Sequence, residues 1–126
     1  MRRAVLAVLT LAAAACGGGD SGSEGCAHVI GVSIAEVGTN VYSVAATIES
    51  ADTGWEKYAD RFEVRAGDGT VLGGLVLTHP HEDEQPFTRT VAEVTIPAGT
   101  DGVVVAAHDS EGGFCGNGFS IAVPGR

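Results

Sequence analysis

The sequence predicts a seven-stranded antiparallel β-sandwich of immunoglobulin or fibronectin-III-like type, placed behind an export signal and a flexible tether. Three observations carry this. From residue 26 onward, apolar residues recur at every second position, and no segment shows the helical period. Gly, Pro, Asn and Asp punctuate these runs at steady spacing. Seven such runs fit in about 100 residues rich in Val and Gly, the pattern of a sandwich built from short strands.

The N-terminus comes first. Met1-Arg2-Arg3 is a short basic region, and Ala4 to Ala15 is apolar apart from Thr10. About a dozen residues are too few for a helix that spans a bilayer, which needs ~20. Leu11-Ala12-Ala13-Ala14-Ala15-Cys16 resembles a lipoprotein signal box, with Ala13 where leucine is commoner. Ordinary cleavage after an Ala-x-Ala sequence is the alternative. The expected division is a signal peptide over 1–15, a lipidated Cys16 with linker over 16–25, and one domain over 26–126. The Gly/Ser/Asp/Glu tract from Gly17 to Gly25 would span roughly 15–18 Å as a flexible chain, keeping the domain near the membrane.

Cysteine usage agrees. Three cysteines are an odd set for an exported chain. With Cys16 lipidated, Cys26 and Cys115 remain to form a disulfide, which implies an oxidising compartment outside the cytoplasm. Without residues 1–15 the chain keeps five basic against sixteen acidic residues. That field repels nucleic acid and anionic headgroups and favours cations and basic partners, besides keeping the protein soluble.

The strands follow in order. Ile30, Val32 and Ile34 are expected on one face of the first. Tyr42, Val44, Ala46 and Ile48 form the inner face of the second, with Ser43 and Thr47 outside. Phe62-Glu63-Val64-Arg65 is the third, and the Gly67-Asp68-Gly69 turn leads to a fourth over Thr70 to Leu77. The fifth runs from about Phe87 to Ile96, the sixth from Val103 to His108, and the seventh contains Phe119, Ile121 and Val123. Simple up-and-down alternation then gathers the loops Ser50–Lys57, Thr78–Pro86 and Asp109–Gly116 at one end, with Cys26 and His28. Cys26 would thus meet Cys115.

Chemistry concentrates at that end. It holds His28, His79, His81 and His108, with Asp52, Glu56, Asp60, Glu82, Asp83, Glu84, Asp109 and Glu111. In Thr78-His79-Pro80-His81-Glu82-Asp83-Glu84-Gln85-Pro86 two prolines stiffen the backbone. In an extended stretch His79 and His81 point the same way, so with His108 they form a candidate Zn or Cu site. A solvated acidic loop is the other reading. No C-x-x-C, H-E-x-x-H or calcium-loop pattern is present.

Trp55 and Tyr58 have two readings: an aromatic platform for sugar or peptide, or a plug closing the end of the sandwich. The plug is expected, because a core poor in large side chains needs the area. Phe87 and Phe119 read as core, and Phe114 in its Gly-rich loop as exposed. His108-Asp109-Ser110 is sequence proximity and not a triad, since neighbours on a strand face opposite ways. No enzyme is expected.

The segments Thr53-Gly54-Trp55 to Tyr58-Ala59-Asp60 and His79-Pro80-His81 to Glu84-Gln85-Pro86-Phe87-Thr88-Arg89 carry a resemblance. Over roughly residues 27–123 the chain resembles a group of small bacterial exported β-sandwich proteins. The resemblance implies the fold and export, and no mechanism. A cysteine pair is not general in that group, so the disulfide rests on this sequence. The function expected is a non-catalytic, envelope-anchored binding or interaction module for an unknown protein or small molecule, held to the membrane by its lipid. A periplasmic metal-binding protein is the alternative, and an enzyme of unknown reaction the third.

Overall fold

A computed structural model describes residues 25–126. The signal segment, Cys16 and most of the tether lie outside the described residues. Seven strands follow in order: β1 His28–Gly38, β2 Val41–Glu49, β3 Ala59–Ala66, β4 Val71–Val76, β5 Phe87–Thr95, β6 Gly102–Asp109 and β7 Phe119–Ala122. They form two antiparallel sheets, one ordered β1-β2-β5 and the other β4-β3-β6-β7.

Alternation decides which side chains meet between the sheets. Tyr42, Val44, Ala46 and Ile48 are buried from β2, as the period-two reading requires. Phe62 and Val64 on β3 and Val103, Val105 and Ala107 on β6 face them. Phe87, Val94 and Ile96 complete the core, and Phe119 packs at its margin. Full burial of each larger side chain contributes about 1.5–3 kcal/mol. The outward residues pair across strands, as in the 2.8 Å Thr47–Thr88 hydroxyl bond.

The first strand departs from simple alternation. Val29 pairs with Ile48 and Gly31 with Thr47, so Ile30 is the extra residue of a β-bulge. The bulge flips the side-chain phase. Val29 is buried and Val32 and Ile34 pack on the core, whereas Ile30 is 47% exposed. The expectation that Ile30 shares a face with Val32 and Ile34 is thereby corrected.

Chain alternation sends three connections to each end. The turns after β1 and β3 and the Pro97–Asp101 connection lie at one end. There Arg126 donates to the carbonyls of Pro97, Thr100 and Ile96 and to Asn40 Oδ1. The connections 50–58, 77–86 and 110–118 share the opposite end, hereafter the loop end.

Candidate functional site at the loop end

Two buried carboxylates assemble the loop end. Asp52 Oδ1 accepts hydrogen bonds from the Ser50 hydroxyl at 2.7 Å and the Ala59 N–H at 2.9 Å, and its Oδ2 from the His81 N–H at 2.8 Å. It therefore closes its own loop and fastens it to the next. Gln85 adds a second fastening, accepting from Ser50 N–H and donating to the His81 carbonyl. Asp109 joins the first loop to the third. Its Oδ1 accepts from Lys57 Nζ at 2.7 Å, and its Oδ2 from the backbone N–H groups of Glu111 and Gly112. Burial opposes the Asp109 charge, but Lys57 and the two amides outweigh it and hold the carboxyl below its ordinary value. Lys57 also donates to the Gly25 carbonyl.

Cys26 and Cys115 are disulfide-bonded, with Cα atoms 5.5 Å apart and 89 positions apart in sequence. The approach is close. At Gly116 a Cβ would lie 2.0 Å from the Ala27 carbonyl oxygen, so only glycine lets the third loop lie against the start of β1. The topology that gathers the three loops thus also brings the cysteines together.

The histidines separate into three environments. His28 Nδ1 accepts from the Asn117 N–H. His79 and His81 are close, with ring centroids 4.4 Å apart, and His81 stacks on Phe87 at 3.8 Å. His108 instead donates from Nδ1 to Asp60 Oδ1 at 2.6 Å and packs edge-on to Phe114. The expected His79, His81 and His108 set is therefore not assembled. Among the described residues no group of three His, Cys, Asp or Glu side chains is arranged to hold a metal ion. The reason is strand alternation: Ala107 and Asp109 are buried, so His108 lies on the outer face of β6, where Asp60 takes its imidazole as a partner. Of the expected acidic cluster, Glu82, Asp83 and Glu84 are exposed on the second loop, while Asp109 is buried and already engaged.

His81 is buried, and neither ring nitrogen has a hydrogen-bond partner. Asp52 Oδ2 lies 3.9 Å from Nδ1 and Glu84 Oε1 lies 4.0 Å from Nε2. Burial first, then the charges of Arg89 and His79, push the His81 pKa below its ordinary value, against Glu84 and Asp52. The ring is a neutral, flat plug. It stacks on Phe87, filling the end of the core where Trp55 and Tyr58 were expected.

Trp55 itself points outward. Gly54 and Lys57 form an isolated bridge, with Lys57 N–H donating to the Gly54 carbonyl and Thr53 N–H to the Lys57 carbonyl. This tight turn needs the φ of +147° that Gly54 supplies, and it puts Trp55 at its tip. Trp55 is 68% exposed, and Tyr58 packs against its ring at a steep angle, 5.6 Å between ring centroids. The plug reading of Trp55 is corrected. Glycine before tryptophan, followed by Glu56 and Lys57, was the turn signal in the sequence that pointed outward. Asp52 carried no comparable signal, since nothing local reveals that its oxygens reach across to a residue 29 positions away.

No family model matches the chain, and no solved structure matches it significantly. A protein of Halomicrobium mukohataei named "Putative lipoprotein" is 33% identical over 95 residues, covering 75% of this chain and 46% of that protein. The chain thus spans about half the length of the curated relative it matches.

Proposed function

We propose that this chain is a lipid-anchored, non-catalytic binding module of the cell envelope, whose loop end holds a ligand against Trp55. One observation carries the binding reading: the single tryptophan of a domain with few large side chains stands 68% exposed at the tip of a tight turn. An indole in the core would stabilise the fold through its large area. Held outside by a turn and braced by Tyr58, it offers a rigid face at little cost in ordering on binding.

Anchoring is supported by the box ending at Cys16, the glycine-rich tether and the name of the relative. The Cys26–Cys115 bond supports an exported location. The strand order supports the fibronectin-III-like variant of the sandwich. In the constant immunoglobulin arrangement the fourth strand joins the sheet of the first two. Here β4 lies beside β3.

Trp55 is the sole tryptophan, so its fluorescence reports on this face alone. A panel of neutral oligosaccharides and short peptides, titrated into the mature domain, should contain a class that binds saturably and changes this emission. Calorimetry with Trp55→Ala should show that binding lost. If no class binds, or the variant binds as wild type does, the face is not a binding site.

A further inference from the structure

The charge arrangement around this face selects its occupant: we propose that Trp55 receives an arginine side chain from a basic polypeptide segment. The inference rests on the binding reading above and names the partner.

Three other aromatic rings of the domain already lie near a guanidinium of the same chain. Arg65 Cζ is 4.2 Å from the centroid of Phe114, which also has Arg61 at 5.2 Å. Arg89 lies 5.4 Å from Phe87 and Arg126 5.5 Å from Tyr42. Indole has the face most attractive to a cation, yet among the described residues no arginine or lysine lies over Trp55. Tyr58 packs against it at a steep angle, and the residue stays 68% exposed.

The surrounding charge points the same way. The domain's cations at and near the loop end are engaged internally: Lys57 with Asp109, Arg61 and Arg65 with Glu63, and Arg89 with Glu84. Arg126 is held at the opposite end. The exposed carboxylates of Glu56, Glu82, Asp83 and Glu111 have no ion-pair partner among the described residues. A guanidinium entering there would stack on the indole and meet this negative field. An anionic ligand would be repelled and a neutral one unaffected.

An arginine-glycine peptide, its lysine and glutamate counterparts and a neutral oligosaccharide decide between outcomes. At low salt the arginine peptide should bind tighter than about 1 mM and change Trp55 emission. Trp55→Ala should weaken it at least about fivefold, the size of a cation–π contact of about 1 kcal/mol. Glu82→Gln/Asp83→Asn should steepen the loss at low salt, and raised salt should weaken wild-type binding. The lysine peptide should bind more weakly, because its ammonium cannot stack. Equal binding of arginine and glutamate peptides overturns the proposal. So does binding of the neutral oligosaccharide alone, which leaves the Trp55 face standing with another occupant. Binding by none of the four removes both readings.

Discussion

Replacing Asp52 with alanine should loosen the loop end. Its two oxygens accept three hydrogen bonds, of which two come from the N–H groups of Ala59 and His81, both buried residues. Each buried N–H left without a partner costs about 1–3 kcal/mol, so the pair costs about 2–6 kcal/mol. The Ser50 hydroxyl adds little, since it is part-exposed and can turn its O–H to water. Against a total stability of about 5–15 kcal/mol for a domain of this kind, the loss is large. Asp52→Asn retains one acceptor oxygen and turns an N–H₂ toward the other donor, so about half the penalty is expected. Urea unfolding of the mature domain, disulfide intact, measures both variants against Ser50→Ala as a mild control. An unfolding free energy for Asp52→Ala within about 1 kcal/mol of wild type, at unchanged m-value, would mean that this carboxylate does not fasten the first two loops.

Other outcomes follow from the same structure. Alkylation without reductant, followed by intact-mass measurement, should find no free thiol in the mature domain. Replacing Cys26 and Cys115 with alanine should cost up to about 4–5 kcal/mol, the loop-closure entropy of a cross-link spanning 89 residues. Two alkylated cysteines in protein from the envelope would contradict the bond. The lowered His81 pKa makes the native state bind a proton less readily than the unfolded chain. Stability contributed by this group is therefore complete above about pH 6.5 and is lost as pH falls toward its folded value. At pH 5 the ceiling is about 2 kcal/mol. His81→Phe keeps the stack on Phe87 without a titrating ring, so its denaturant midpoint should fall less between pH 7.5 and 5; identical profiles would contradict this. Cys16→Ser should block signal processing and lipidation and change membrane fractionation; a variant processed and fractionating like wild type would exclude the anchor.

The second strand was legible because Tyr42, Val44, Ala46 and Ile48 alternate without interruption and face one core. The loop grouping was legible for a simpler reason. Antiparallel alternation fixes which connections share an end, and Cys26 beside Cys115 agrees with it. Ile30 was not legible, since a one-residue bulge leaves composition unchanged while reversing which side chain faces inward. The histidines show the limit for sites. His79 and His81 are two residues apart and stay together, but His108 reached them only through an assumption about side-chain direction, which Asp60 overrides. Trp55 was misplaced because hydrophobic area argued for burial while Gly54 and the bridge to Lys57 set the geometry. His81, a residue read as a ligand, fills the end of the core instead.

Quenching of the single tryptophan's fluorescence tests together that the Trp55 indole is exposed and that it stands in a negative field. Caesium and iodide ions each quench an accessible indole, but surrounding carboxylates concentrate the cation and repel the anion. With each quencher scaled to its effect on free tryptophan amide, the mature domain at low ionic strength should be quenched more by caesium than by iodide, with the difference shrinking as inert salt is added. Glu82→Gln/Asp83→Asn should narrow the difference as well. Equal protection from both ions would mean that Trp55 is buried after all. Scaled quenching stronger by iodide would mean that the field at Trp55 has the opposite sign.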